Sequence, residues 1–350
     1  MNNRSEIVGL DLGKFIFAIF VITIHVAPFG NNSGLKIING ITQSLCGKIA
    51  VPFFFVVAGF LLFQKLNDAN QKRRVVIDYI KRVAILYAVW SIIYLPFNIM
   101  EFEGKGIKEF ILDYTHSFFV VGSYYHLWYL LALIVAVCLV TLLIKCGLDI
   151  RIILAISIIL FIAGCLTQSW YGLIKPIQSV YPGVWSFLRV MKHFFVTARN
   201  GIFEGFVFVT IGAIIALKKI SINVKYSSIG FIVSLALIVA EFLVVKKLDL
   251  QNTNILYISL LPAAFFAFFV FYNIKIDNVK AGVFLRKMST IIYLIHMLVF
   301  RLSVMILDNY YTNIEESMIM FYIVTFVSII LAFIIVYLSR TKLKILRWLY

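Results

Sequence analysis

The chain has 350 residues, of which 62% are hydrophobic and only 14% are charged, and its mean hydropathy is +0.99. An ordinary soluble domain is about 45–50% apolar, so this composition excludes that class of protein. The net charge of +16 does not indicate nucleic-acid binding, because the basic residues cluster in alternate connections between apolar runs, which is the positive-inside pattern of membrane proteins.

The apolar runs predict an all-α, polytopic membrane protein with about ten transmembrane helices in one bundle, forming a single integral-membrane domain over residues 1–350. Because Lys and Arg are more frequent on the side of both termini, we expect both termini in the cytoplasm and the chain in the plasma membrane. The first run lacks a small-residue cleavage motif and is predicted to be a retained helix. The predicted spans are roughly 8–29, 41–63, 83–100, 127–144, 152–171, 200–217, 227–245, 255–273, 288–307 and 318–338.

The first span contains the polar residues Asp11, Lys14 and His25 in an otherwise apolar run, DLGKFIFAIFVITIH. On one continuous helix these three side chains share a face, with Lys14 and His25 about 16 Å apart along the axis. Ionisable groups are costly within lipid and are candidates for function. A neutral imidazole suits removal of a proton from a hydroxyl, so His25 is a candidate general base. The alternative is that His25 only hydrogen-bonds a neighbouring helix.

The fourth span opens with His126, Leu127, Trp128 and Tyr129. By the predicted topology, His126 lies at the same membrane depth as His25, so the two could line one outward cavity. Trp128 could bind substrate beside them, or simply belong to the aromatic belt at the membrane interface.

The sixth span opens with Arg199 and Asn200, and Glu204 lies one turn further along. An acid within the membrane needs a partner, which could be Arg199 or Lys192. The preceding loop, 172–199, is predicted to be external and yet carries basic residues, which could bind an anionic or carboxylate group. A structural ion pair and a substrate clamp both remain open for these residues.

The ninth span places Ser289, Tyr293 and His296 on one face, with Arg301 further out on another face. Two ionisable groups in one span exceed what packing needs, so we expect Tyr293, His296 and Arg301 to line a substrate cavity. Glu241, in the seventh span, is a weaker candidate of the same kind.

Several classes of enzyme are disfavoured because the chain has no P-loop, HExxH, GxSxG or GxGxxG pattern. The four cysteines have no zinc-ligand spacing and are predicted to be small buried hydrophobes. We therefore expect no metal and no bound cofactor.

Four motifs in this order resemble the membrane-bound acyltransferase family 3: Lys14-x10-His25, VPFFF…GF at 51–60, HLWY…AL from His126, and Ser289…Tyr293-Leu-Ile-His296. The resemblance covers about residues 8–338. It implies a ten-helix enzyme that transfers acetyl or other acyl groups to sugars, lipids, peptidoglycan or antibiotics. It also implies that His25 is essential and that Lys14, where the family usually has arginine, is the basic residue eleven positions before it.

Three further segments, Ser169–Ile174, Arg199–Phe203 and Tyr125–Tyr129, are similar to the membrane domain of vancomycin-resistance serine racemases. This similarity implies a role in the entry of L-serine. In those proteins a cytoplasmic racemase domain follows the membrane domain. Because this chain stops at Tyr350, we expect no racemase activity.

The favoured hypothesis is a membrane-embedded O-acyltransferase. Acetyl-CoA or a similar acyl-CoA would be the cytoplasmic donor, and a hydroxyl of a cell-surface glycan, lipid or small metabolite the acceptor. His25, Lys14 and Asp11 would be catalytic, and Arg199 or Arg301 would stabilise negative charge or orient the acceptor. The alternatives are a transporter for L-serine or a related amino acid, and an accessory subunit of a surface-polymer assembly system.

Overall fold

The structure is a computed structural model that describes residues 4–30, 34–102, 106–183, 186, 194–253, 255–308, 310, 314–340 and 343–350. Over these residues the chain is all-α, with helices and turns but no β-strand. The fold class predicted from the sequence, a polytopic all-α membrane protein, is confirmed.

Within the described ranges, nine helical segments are long and apolar enough to cross a membrane, and a shorter apolar helix occupies the place of the predicted eighth span. Helices are the expected form, because in lipid each backbone N–H and C=O must be hydrogen-bonded within its own segment. The third and ninth spans extend well beyond their predicted amino ends, since basic residues there continue the helix outside the apolar run. The ten segments are Val8–Val26, Lys36–Asn67, Lys72–Met100, Trp128–Lys145, Ile150–Thr167, Gly201–Lys218, Val224–Lys247, Leu260–Tyr272, Val279–Leu307 and Met318–Arg340.

The chain divides into two compact units, and the prediction of one domain over 1–350 stays a prediction. The first unit, unit 1, comprises Met1–Phe54, Ser221–Phe242 and Ser259–Tyr350. In it, helix α1 (Arg4–Phe20) packs along the helix Val279–Leu307, which in turn packs against Met318–Arg340. Helix α1 also contacts Leu260–Tyr272. Unit 1 therefore holds the first span and the ninth span side by side.

The second unit, unit 2, comprises Phe55–Ile220 and Leu243–Ile258. Its centre is the helical segment Gly201–Lys218, which packs against Trp128–Lys145 and Ile150–Thr167. That segment starts with a π-helical turn over Gly201–Gly205, and a second such turn, Ser117–Val121, follows the helix Ile107–His116. Such turns widen a helix by one residue and are frequent at functional sites.

The first span is not one continuous helix, in contrast to the helix assumed from the sequence. Helix α1 ends at Phe20, and a short helix α2 (Ile22–Val26) follows Val21. The hydroxyl of Thr23 donates to the carbonyl oxygen of Phe20 at 2.7 Å, a side-chain bond that competes with the regular helical pattern. Asp11 and Lys14 therefore lie together on α1, whereas His25 lies on α2.

Two glycines allow close packing of helices within unit 2. A Cβ atom built on Gly59 would collide with the carbonyl oxygen of Val209, and one built on Gly212 would collide with the carbonyl oxygen of Val56. Glycine is thus required on both sides of this contact, as is typical of helix pairs in membranes. Another backbone therefore approaches closely at Gly59 and at Gly212.

Candidate active site

His25 lies beside His296 in unit 1. His25 lies in the last turn of α2 and is half-buried. Ala27, which directly precedes Pro28, is in the left-handed conformation that ends the helix. The ring centroids of His25 and His296 are 5.2 Å apart, with an angle of 44° between the ring planes. Two imidazoles from distant parts of the chain thus form the centre of a candidate site.

The environment of His296 is apolar and buried. Its Nδ1 lies 3.2 Å from the carbonyl oxygen of Ile292 one turn earlier, so a proton on Nδ1 would be donated to that oxygen and leave Nε2 as the basic nitrogen. The ring of Tyr293 lies 6.0 Å from that of His296 and packs edge-on against Phe54. Tyr293 and His296 therefore both belong to this cluster, and their predicted role in lining a substrate cavity stays a prediction.

Asp11 and Lys14 form an ion pair on α1, with 2.5 Å between the Lys14 ammonium nitrogen and a carboxylate oxygen of Asp11. Asp11 is 2% exposed, and the side chain of Lys14 is 16% exposed. Removing one member of such a pair leaves the other charge buried without compensation, which is costly. The pair fixes the position of the lysine ammonium in the amino-terminal part of the first span.

A second group of charged residues in unit 1 includes Lys48, which the sequence analysis did not single out. Lys48 lies close enough to Glu241 for their charges to attract each other. Glu241 also accepts hydrogen bonds from the backbone N–H and the hydroxyl of Ser259, at 2.8 and 2.5 Å. Glu241 thus caps the start of Leu260–Tyr272. The predicted role of Glu241 in lining a cavity stays a prediction. Lys48 could have been found from the sequence, because it is an ionisable residue within a predicted span.

In unit 2, His126 is 1% exposed and lies among aromatic rings. The ring of Tyr94 contacts it edge-on with 5.1 Å between centroids, and Tyr124, which stacks on Tyr94 at 4.4 Å, contacts it at 6.3 Å. His126 thus belongs to unit 2, whereas the His25–His296 pair belongs to unit 1.

Arg199, Asn200 and Glu204 form the start of the sixth span, as the sequence suggested. The side-chain oxygen of Asn200 accepts from the backbone N–H groups of Ile202 and Phe203 at 2.9 and 3.0 Å, and it caps the π-helical turn. Glu204 is 3% exposed and is attracted electrostatically by Arg199. The Arg199 guanidinium carbon lies 5.6 Å from the centre of the Trp128 ring, a cation–π distance.

Arg199 and Trp128 also border a cavity of about 310 Å³ in unit 2, which both charged and aromatic side chains line. The carboxylates of Glu101 and Asp113 line the same cavity, together with several tyrosines. Burial, with a smaller effect from Tyr125, raises the pKa of Tyr124 well above its usual range. Its hydroxyl therefore stays protonated and donates to Glu101 at 3.2 Å.

The wall of this cavity depends on a glycine turn. Gly122 has a φ of +113°, and a Cβ atom there would lie 2.5 Å from the Cα atom of Trp128. Ser123, the next residue, is bound through its backbone N–H to the Tyr87 hydroxyl at 2.9 Å and through its carbonyl oxygen to Asn98 at 3.0 Å. The spacing of residues along the chain did not predict that Glu101 and Asp113 would line a cavity with Arg199.

Arg301 is half-buried on the same helix as His296, whereas Lys192 lies outside the described residues. In the part of the chain that the structure describes, no three His, Cys, Asp or Glu side chains are grouped so that they could hold a metal ion.

The fold and these clusters define a multi-pass membrane protein with ionisable side chains placed inside its helix bundle. Residues 7–337 match the family model described as "Acyltransferase domain", the acyltransferase family 3. The chain therefore belongs to this family of membrane acyltransferases, and the resemblance stated from the motifs is confirmed.

The curated relatives are named as racemases. An "Amino-acid racemase" of Enterococcus faecalis is 26% identical over 99% of this chain and 48% of its own length. A "Serine/alanine racemase" of Enterococcus gallinarum is 27% identical over 74% of this chain and 36% of its own length. This chain thus spans less than half the length of these relatives. No solved structure matches it.

Proposed function

We propose that this protein is an O-acyltransferase of the plasma membrane. An acetyl or similar acyl group would pass from a cytoplasmic acyl-CoA to a hydroxyl of a glycan, lipid or small metabolite. The observation that carries the proposal is the pairing of His25 with His296, with 5.2 Å between ring centroids, within a family of membrane acyltransferases.

In the proposed reaction, a basic nitrogen of His25 takes the proton of the acceptor hydroxyl. The resulting oxygen nucleophile attacks the thioester carbonyl carbon, and a tetrahedral intermediate forms. When this intermediate collapses, the carbon–sulfur bond breaks, and the imidazolium of His25 returns the proton to the leaving thiolate of CoA. His296 acts as a positioning residue that holds the His25 ring, and Arg301 would stabilise the negative charge on the carbonyl oxygen.

Lys14 and Asp11 have a different role in this proposal. The ammonium of Lys14 would attract a phosphate of the acyl-CoA, and Asp11 would hold that ammonium in place through the ion pair at 2.5 Å. Lysine acts here as a point charge, without the two parallel hydrogen bonds that an arginine makes with a phosphate.

The test is transfer of radiolabelled acetyl from acetyl-CoA to membrane components by purified, reconstituted protein. Loss of a general base lowers a rate by about 10²–10⁴-fold, so His25→Ala should reduce label in the product to near background. His116→Ala is the matched control, since His116 is also a half-buried histidine but contacts the Phe194 carbonyl oxygen instead of a second imidazole. Near-normal transfer by a folded His25→Ala protein would contradict the proposal.

A second candidate function is passage of L-serine or a related small amino acid through the membrane. The observation that favours it is that Arg199, Glu101 and Asp113 line one cavity, which provides both charge types for a zwitterion. The relatives named for serine and alanine point the same way. Uptake of labelled serine into proteoliposomes without an acyl donor would support this function, and its loss in Arg199→Gln would assign the carboxylate contact.

A further inference from the structure

Three buried hydroxyl groups of unit 1 have no hydrogen-bond partner among the described residues. They belong to Ser44, Thr325 and Ser328, which are 0%, 8% and 0% exposed. In the described part of the chain, no other side-chain hydroxyl is both fully buried and without a partner. A buried polar group that is left unsatisfied is costly, so native proteins pair such groups with protein atoms or with ordered water. Bound water is therefore the expected partner of these three hydroxyls.

Two other buried serines on membrane-spanning helices are satisfied within their own helix. The hydroxyl of Ser234 donates to the carbonyl oxygen of Gly230 at 2.7 Å, and that of Ser157 donates to the carbonyl oxygen of Leu154 at 2.8 Å. A bond to the preceding turn is an ordinary arrangement for a serine inside a helix. Ser328 makes no such bond in the structure described here, so its hydroxyl is available to a bound molecule.

All three hydroxyls lie on elements that pack against α2, the short helix that carries His25. Ser44 lies in the π-helical turn Gln43–Gly47, and this turn contacts α2. Thr325 and Ser328 lie in the last membrane-spanning helix, which also contacts α2. They are three residues apart and therefore share one face of that helix. The helix that carries His25 thus lies between two elements with unsatisfied hydroxyls.

Ser328 lies at the same level of the bundle as His296. The helix Met318–Arg340 follows Val279–Leu307 across a short connection and packs against it, so the two helices are antiparallel. At a rise of 1.5 Å per residue, His296 lies about 16 Å before this connection and Ser328 lies about 15 Å after it. Because His25 and His296 lie side by side, the hydroxyl of Ser328 is level with both rings.

We propose that Ser44, Thr325 and Ser328 bind ordered water inside unit 1, and that this water is hydrogen-bonded to the imidazoles of His25 and His296. Hydroxyl groups both donate and accept, so they can hold water in either orientation. A buried water makes about three hydrogen bonds, and the hydroxyls together with an imidazole nitrogen supply that number. The three residues are positioning residues, because the water that they hold fixes the orientation of the two rings.

This inference deepens the proposed function and rests on it only for the effect on acyl transfer. A hydroxyl of the acceptor offers the same O–H chemistry as water, so the test uses samples without an acceptor. Protein labelled with ¹⁵N at histidine is reconstituted in phosphatidylcholine bilayers. Solid-state NMR then follows the transfer of magnetisation from water to each imidazole, and replacing one histidine at a time assigns the signals.

The other histidines of the chain provide the reference rates. His116 lies outside the membrane-spanning segments and should receive magnetisation from water quickly. His126 is buried among aromatic rings and should receive it slowly. The rings of His25 and His296 should receive it clearly faster than His126 does. Transfer to both of these rings as slow as that to His126 would overturn the inference.

Matched variants identify the groups that hold the water. Thr325→Val combined with Ser328→Ala removes two hydroxyls with little change in side-chain shape, and it should slow the transfer to His296 to the rate seen at His126. Thr325→Ser retains the hydroxyl and should keep the wild-type rate. Ser234→Ala is the control, because it removes a buried hydroxyl of unit 1 that is satisfied within its own helix. An unchanged rate in the double variant would overturn the inference.

Acetyl transfer by the same variants separates this inference from the proposed function. Loss of the water should lower kcat by up to about 10²-fold, the cost of a misplaced catalytic group, and leave the KM for acyl-CoA unchanged. Thr325→Ser should retain the wild-type kcat. Fast magnetisation transfer that the double variant abolishes, in a wild-type protein without acetyl transfer, would support the water site and count against the acyltransferase function alone.

Discussion

The contact between the helices that carry Gly59 and Gly212 gives a sharp prediction for the substitution Gly212→Ala. The added methyl would lie against the carbonyl oxygen of Val56 and 2.6 Å from the backbone nitrogen of Phe60, whereas real Cβ contacts are essentially never closer than 3.0 Å. Both neighbours are backbone atoms, so no side chain can rotate away. The two helices must separate.

The expected cost follows from this geometry. Overpacking that forces backbone shifts costs about 1–3 kcal/mol, and 1 kcal/mol lowers the Tm of a chain of 150–250 residues by about 2–4 °C. We therefore expect Gly212→Ala to lower the Tm by roughly 5 °C. Gly59→Ala, which would press against the carbonyl oxygen of Val209 from the facing helix, should have an effect of the same sign.

The assay is thermal unfolding of the purified protein in one detergent, monitored by circular dichroism at a single scan rate. Gly34→Ala is the control, since nothing lies within 4 Å of a Cβ atom built there. An unchanged Tm for Gly212→Ala, or an equal decrease for Gly34→Ala, would refute the close approach of these helices.

Three other outcomes follow from single contacts. Asn200→Ala removes the cap of the Gly201–Gly205 turn and should lower the free energy of unfolding by about 1–2 kcal/mol, seen as a lower Tm. Asn200→Ser should keep most of the wild-type stability, because serine can also cap the turn. Ser259→Ala removes the 2.5 Å bond to Glu241 and should lower the Tm through a loss of about 1–3 kcal/mol. Under the proposed function, Lys14→Ala should raise the KM for acyl-CoA by about tenfold in a transfer assay. An unchanged KM would show that Lys14 does not bind the acyl donor.

Much of the fold could be predicted because apolar runs of sufficient length have few alternatives in a membrane. The spans around Trp128–Lys145 and Gly201–Lys218 were placed within a residue or two, since polar or glycine residues bound those runs at both ends. Prediction was weaker where a helix continues past its apolar run, as at Lys72–Met100, because lipid no longer decides where the helix begins.

For the candidate site too, some features could be predicted from the sequence and others could not. The sequence by itself determined that Asp11 and Lys14 would meet, since residues three apart on one helix are neighbours, and the ion pair is present. It also singled out His25 and His296 as candidates for function, because ionisable residues within a span are costly.

Only the tertiary structure decided that His25 and His296 lie side by side, and that Glu101, Asp113 and Arg199 line one cavity. Residues far apart in the chain approach each other only through the packing of whole helices. The end of α1 at Phe20 and the positive φ of Gly122 are likewise visible only in the structure. Periodicity places a residue on a face of its own helix, and packing alone determines what that face meets.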